Sequence, residues 1–335
     1  MKIIKRNSWK KRLNDDPVEW LLESNPWTKH KTLTDLLELP HDSDEVTKAK
    51  KELINHEKIK SLISETAQWF PVSYARHNNP AISHYKLRML SDFGLTVEDD
   101  NIMAIALKVV EHSEDGFLAF RQKLPGKHTG FIKSDPTSDE WHALPCDSPL
   151  LTHSLLSIGF KAPEVIRSAE LIKQKWSSSV GWFCHLYFVN NMFKRLQVGC
   201  PLAGLMALEL FSAIPELKKS EYARNAYEPI KYHRESGRSL YYFGRSKKFW
   251  KMKYPFVWYN ALYMADVLTR FKILKKEALV KELIKWIQDS QDEQGRFKPT
   301  SMFRSYKEWD FANKHEPSPW ITFLCCRILK NYYSR

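Results

Sequence analysis

The sequence predicts an all-α chain built as an (α/α)6 toroid, six pairs of inner and outer helices closed into a ring. Three observations carry this. Segments with apolar residues at helical spacing recur at intervals of 53 to 65 residues. Most are followed by a second segment that keeps one polar face. Glycine is scarce, 11 in 335 residues, which argues against a sheet-rich fold with many tight turns.

The first helices are expected to start near Thr28, Ala81, Cys146, Pro201, Pro255 and Ser318. Ala81–Gly94 (AISHYKLRMLSDFG), Cys146–Gly159 (CDSPLLTHSLLSIG), Pro201–Ile214 (PLAGLMALELFSAI), Pro255–Phe271 and Ser318–Tyr332 are the strong copies. Thr28–Leu39 is shorter and weaker. Several open on Pro or Ser, and Pro suits a first helical turn, where its missing N–H has no partner to lose. The partner helices are expected at Ile102–His112, Pro163–Trp176, Ser220–His233 and Glu277–Asp289. In the second of these Arg167, Glu170 and Lys173 stand about one turn apart, a solvated face. First helices that are apolar nearly all round fit an inner layer, so a closed ring is favoured over an open solenoid. Residues 1–16 read as a basic tail and residues 17–335 as one toroid domain. Trp9 among lysines is a candidate membrane-surface contact, the alternative being a solvated tail.

Lysine and arginine number 52 against 39 acids, a net charge of +13, which favours anionic partners: diphosphates, acidic lipid surfaces or nucleic acid. Aromatic residues make up 13%, with 12 Trp, and serve either as wedges between helix layers or as the lining of a ligand cavity. No apolar run reaches 18 residues, so no membrane span is expected. The five cysteines are odd in number and nothing points to secretion; a reducing, cytoplasmic setting follows, possible attachment to an anionic membrane surface included.

Gln291-Asp-Glu-Gln-Gly295-Arg-Phe297 resembles the Gln-x3-Gly-x-Trp repeat of squalene and oxidosqualene cyclases, with Phe for Trp. Gly181-Trp182 and Gly116-Phe117 resemble degenerate copies. The chain is thus similar, from about Pro17 onward, to the terpenoid-cyclase and protein-prenyltransferase toroids and to small stand-alone proteins with squalene-cyclase-like repeats. The resemblance implies that the Gln and the aromatic ring staple the end of an outer helix to its neighbour. Two departures matter. The Asp-x-Asp-Asp acid motif of the cyclases is missing, and Asp42-Ser-Asp44-Glu45 reads as a helix N-cap with first-turn acids. The chain is also too short for the inserted second barrel of those enzymes.

In a toroid, loops that lead into inner-helix N-termini share one face. Cys146, Cys184, His185 and Cys200 all fall there, a soft ligand set that suits tetrahedral zinc. Related toroids place zinc on this face, and Cys184-His185 resembles the Cys-His pair of lanthionine cyclases, although Leu186 stands where that pattern has Gly. Small buried apolar cysteines are the other reading. Arg238, Arg245, Lys247, Lys248, Lys251 and Lys253, interleaved with aromatics that include Tyr241, Phe249 and Trp250, make the same face basic. With Trp258 and Tyr259 this segment is the expected substrate site, a diphosphate headgroup on the cations and an apolar tail beyond. Nucleic acid and a plainly solvated loop are the alternatives. Glu209, His153, Asn260 and Asp266 break apolar inner helices and are candidate acids or bases, or satisfied core groups.

The expected function is binding, with transformation as an extension, of an isoprenoid or similar amphipathic anion. The alternatives are a scaffold or nucleic-acid-contacting protein, and a zinc-dependent thiol-transfer enzyme.

Overall fold

A computed structural model of the chain describes residues 8–71, 78–121, 141–183, 199–236 and 246–333. Helix accounts for 58% of them and strand for 3%. The α-helices are α1 Val18–Leu22, α2 Pro26–Lys31, α3 Asp44–Asn55, α4 Glu57–Ala67, α5 Ser83–Phe93, α6 Ile102–Val110, α7 Asp147–Ser157, α8 Pro163–Lys175, α9 Pro201–Ser212, α10 Glu221–Glu235, α11 Ala261–Leu268, α12 Ala278–Gln288 and α13 Pro319–Tyr333. The chain divides into two compact units, residues 62–243 and residues 1–61 with 244–335.

In the first unit α5, α7 and α9 pack side by side, with α8 against α7 and α10 against α9. In the second, α13 lies against α11 and α2, with α12 against α11 and α13 and α3 against α2. Each unit therefore holds an arc of three first helices. Burial follows the two expected patterns. All twelve residues of α9 and all eight of α11 are buried, as an inner layer requires. In α10 only Ala223, Ala226, Tyr227, Pro229, Ile230 and His233 are, along one stripe.

Local chemistry sets the ends. Asn25 caps α2, accepting from the Thr28 N–H at 3.0 Å. Ser43 stands at the N-cap of α3, with Asp44 and Glu45 in the first turn, as expected of that acidic run. Ser318 Oγ accepts from the Ile321 N–H at 3.1 Å and opens α13. The fifth first helix starts at Ala261 rather than near Pro255. Trp258 has φ 65, which a right-handed helix excludes, and Asn260 Oδ1 accepts from the Tyr263 N–H at 2.9 Å to begin the helix there. Gly116-Phe117 belongs to a hairpin: β1 Ser113–Glu114 pairs antiparallel with β2 Phe117–Leu118, Glu114 opposite Phe117. The turn residues Asp115 and Gly116 have φ 51 and 83, the Asp-Gly turn that matches strand twist. A second pair joins β3 Phe120–Arg121 to β4 Trp141–His142.

The Gln291–Phe297 motif is a staple, though to a different neighbour than a simple repeat suggests. Gln291 Oε1 accepts from Asn14 N at 2.7 Å, and its Nε2 donates to Arg12 O and Gln288 O at 3.2 and 2.9 Å. Gly295 has φ 68, and a Cβ there would lie 2.2 Å from Asp15 O. Phe297 is fully buried, and its N–H donates to Thr322 Oγ1 of α13 at 2.9 Å. The motif thus ties the end of α12 to α13 and to residues 12–15. Those residues are accordingly no free tail. Trp9 is 1% exposed, which removes it as a membrane contact, and Arg12 lies over the Tyr333 ring at 4.7 Å.

α9 and α10 approach closely at Gly204, where a Cβ would lie 2.3 Å from the Ala226 carbonyl oxygen. Backbone cannot yield as a side-chain tip can. Gly204→Ala is expected to force α9 from α10 and to cost about 1–3 kcal/mol in chemical denaturation. A variant as stable as the parent would mean the two helices have slack.

Candidate functional site

The segment 246–260 leads into α11 and is rigidly held. Phe249 N–H donates to Ser246 O at 2.9 Å and Ala261 N–H to Phe249 O at 2.8 Å. Met252 bonds Thr300 in both directions, its N–H to Thr300 Oγ1 and its carbonyl from the Thr300 N–H, each at 3.0 Å. Asn260 Nδ2 donates to Lys253 O at 3.4 Å. Phe249, Met252, Tyr254 and Phe256 are buried anchors. In Phe249-Trp-Lys-Met-Lys-Tyr254 the buried Met252 and Tyr254 alternate with half-buried Lys251 and Lys253, so the two lysines share the other side of the segment.

Lys253 Nζ lies 3.3 Å from the centre of the Phe303 ring. Burial and the nearby Lys251 charge push its ammonium down to about 8. Among the described residues no carboxylate pairs with Lys247, Lys251 or Lys253. Lys247 and Lys248 are exposed. Trp250 meets Trp286 edge-on at 5.6 Å, and Trp258 and Tyr259, both half-buried, lie 6.1 Å apart. Trp258 with φ 65 is strained, about 1–3 kcal/mol for so bulky a residue. The segment therefore holds two crowded cations, one of them against the Phe303 ring, and a strained Trp258. Arg238 and Arg245 lie outside the described residues, as does Tyr241.

The four expected acids and bases have defined places. Asn260 is the N-cap of α11. Asp266 is fully buried, and Arg327 donates to its Oδ1 at 2.9 Å through Nη2 and at 3.1 Å through Nε, while Arg270 pairs with its Oδ2. Burial alone would raise this carboxyl; Arg270 and Arg327 outweigh it and hold it below the carboxylate range. It is a charge anchor between α11 and α13. Glu209, on α9, pairs with Arg88 of α5 in the core of the other unit, and Arg88 Nε stands 3.9 Å from Asp92. His153 Nε2 lies 3.3 Å from Ser157 Oγ, one turn along α7.

Of the cysteine set, Cys184 and His185 lie outside the described residues. Cys146 and Cys200 are both buried at helix starts, and both neighbour Asp147. Cys146 Sγ donates to Asp147 Oδ2 at 3.1 Å. Burial pushes the Cys200 thiol up to about 11, with the Asp147 charge adding to it. His84 Nε2, at the start of α5, lies 3.4 Å from Asp147 Oδ1, inside a ring of Phe70, Tyr85 and Phe120. Asp147 thus lies beside three helix starts, those of α5, α7 and α9. Burial favours the protonated form of the Cys200 thiol, and no group of three or more His, Cys, Asp or Glu among the described residues is arranged to hold a metal ion.

Sequence reasoning did not single out Phe303, Arg88 or His84. Arg88 was legible as a charge inside an apolar helix; Phe303 reaches the site only through the fold. No helix among the described residues is long and apolar enough to cross a membrane. Comparison with protein-family models and with curated proteins finds no match to this chain, so function rests on the chemistry of the site itself.

Proposed function

We propose that this chain binds an amphipathic anion of the isoprenoid diphosphate kind, with the headgroup on Lys251 and Lys253 and the apolar tail along Trp250, Trp258, Tyr259 and Phe303. One observation carries this reading: Lys253 is a half-buried cation, crowded by a second cation and paired with no described carboxylate. Such an arrangement costs free energy in the free protein, and a bound anion removes the cost. Sites that sacrifice stability in this way are characteristic of function rather than folding. Lys247 and Lys248 add long-range attraction for the headgroup.

Farnesyl or geranylgeranyl diphosphate is expected to raise the melting temperature by mass action, and more than inorganic diphosphate does. Lys251→Gln with Lys253→Gln removes the rise, as does reversal of Arg245 and Lys248 to Glu. A rise unaffected by these changes places the headgroup elsewhere. Single-stranded RNA binding without a response to isoprenoids would favour the nucleic-acid reading. As to architecture, we propose that the repeat of helix pairs closes into an (α/α)6 toroid. A closed form implies a radius of gyration of about 20 Å in solution scattering, and an open solenoid a clearly larger one.

A further inference from the structure

The Lys253 amine has features that headgroup binding alone does not use. A lysine that only attracts phosphate works best as an exposed, fully charged group. Lys253 is instead drawn against an aromatic face, with Met252 and Tyr254 buried on either side of it. Its backbone is held by the Asn260 side chain and, one residue away, by the double bond of Met252 with Thr300. Lys251 sits two residues away on the same side of the segment. A desolvated lysine beside another cation is how a protein keeps an amine partly neutral at physiological pH, and the neutral amine is the nucleophile.

We infer that Lys253 is a nucleophilic amine that condenses with the carbonyl carbon of an aldehyde or ketone ligand, whose anionic group rests on the neighbouring lysines. The second clause rests on the anion-binding reading above; the first does not. The nitrogen lone pair attacks the carbonyl carbon, and the C=O π pair moves to oxygen, which takes a proton from the nitrogen. The carbinolamine then loses water to give the imine. No oxidant or reductant is needed. The depressed ammonium value agrees with this geometry. At pH 7 a group with a value near 8 is about a tenth neutral, whereas an ordinary lysine is so to less than about a thousandth. Part of that advantage is lost because a less basic amine is a weaker nucleophile. The Phe303 ring also favours the cation and offsets part of the advantage.

The test is competitive labelling of the whole chain, read residue by residue by mass spectrometry. Trace formaldehyde with cyanoborohydride at pH 7 is a small neutral probe that needs no anion site. Lys253 is expected to be labelled at least about tenfold faster than the median lysine, with a rate that rises to a plateau above its midpoint near pH 8. Labelling at the median rate overturns the inference and leaves anion binding untouched. Pyridoxal 5′-phosphate with borohydride is the anionic carbonyl probe. Preferential capture at Lys253, blocked by farnesyl diphosphate, supports the full assignment. Fast formaldehyde labelling without that preference keeps the reactive amine and overturns its anionic ligand. Lys253→Arg keeps the positive charge but has no amine that can condense, so it should abolish capture at position 253; capture at the other lysines measures the background.

Discussion

Glu209→Ala is expected to lower the unfolding free energy by about 3–5 kcal/mol, because it removes the buried carboxylate that pairs with the Arg88 guanidinium in the core. Arg88 is 1% exposed and Glu209 fully buried, so water cannot replace the lost partner. Asp92, 3.9 Å from Arg88 Nε, is too distant to make a full hydrogen bond. Arg88→Ala is expected to cost a similar amount by removing the cation that pairs with the buried Glu209 carboxylate. The double change Arg88→Met with Glu209→Leu should recover most of the loss, since apolar groups of similar volume can match a buried ion pair. Urea denaturation of the four proteins closes the cycle. Single-variant losses under about 1 kcal/mol would mean that the cluster is open to water, and would turn attention back to Glu209 as a reactive acid.

Asp266→Ala carries an expected loss of about 3–5 kcal/mol, because Arg270 and Arg327 both lose the buried carboxylate that they share. It also carries a pH signature. Asp35 sits 3.5 Å from Arg327 and 2.7 Å from Lys31; burial would raise it, but these cations outweigh burial and bring it down to about 2. Asp266 is shifted in the same direction. A carboxyl whose folded value lies below its ordinary 3.8 contributes stability that is complete above that value and is lost as pH falls through the folded value. The wild type should therefore lose stability between about pH 4 and pH 2, with Asp35 alone accounting for about 2 kcal/mol. Asp35→Asn should flatten that limb while lowering the plateau. An acid limb of the same steepness in Asp35→Asn would show that the Lys31 and Arg327 contacts do not hold in solution.

The repeat frame was legible because inner and outer helices solve different burial problems: one is covered on every side, the other on a single stripe. The start of α11 was misplaced because Pro255–Tyr259 carries apolar residues at near-helical spacing, and only the capping by Asn260 and the φ of Trp258 reveal an irregular approach. Asn260 itself was read as a possible catalytic group for the same reason, its cap being a matter of geometry. Asp266 looked like a stray acid in an apolar helix because Arg327, 61 residues away, is invisible at that distance along the chain. Cys146 and Cys200 were correctly placed at matching helix starts, since topology alone relates them. That Asp147 is their common neighbour follows from side-chain packing, which periodicity does not encode. The cationic, aromatic character of residues 247–259 was plain from composition; the particular cation drawn against Phe303 was not.

Titration calorimetry of farnesyl diphosphate against the wild type and the Lys251→Gln/Lys253→Gln double variant measures the central interaction directly. Two phosphate-facing cations with a partly desolvated site predict a loss of at least about tenfold in affinity, roughly 1.4 kcal/mol or more, and a weaker salt dependence in the variant. Equal affinity in the two proteins, or no heat of binding in either, would contradict the assignment of this segment as an anion site.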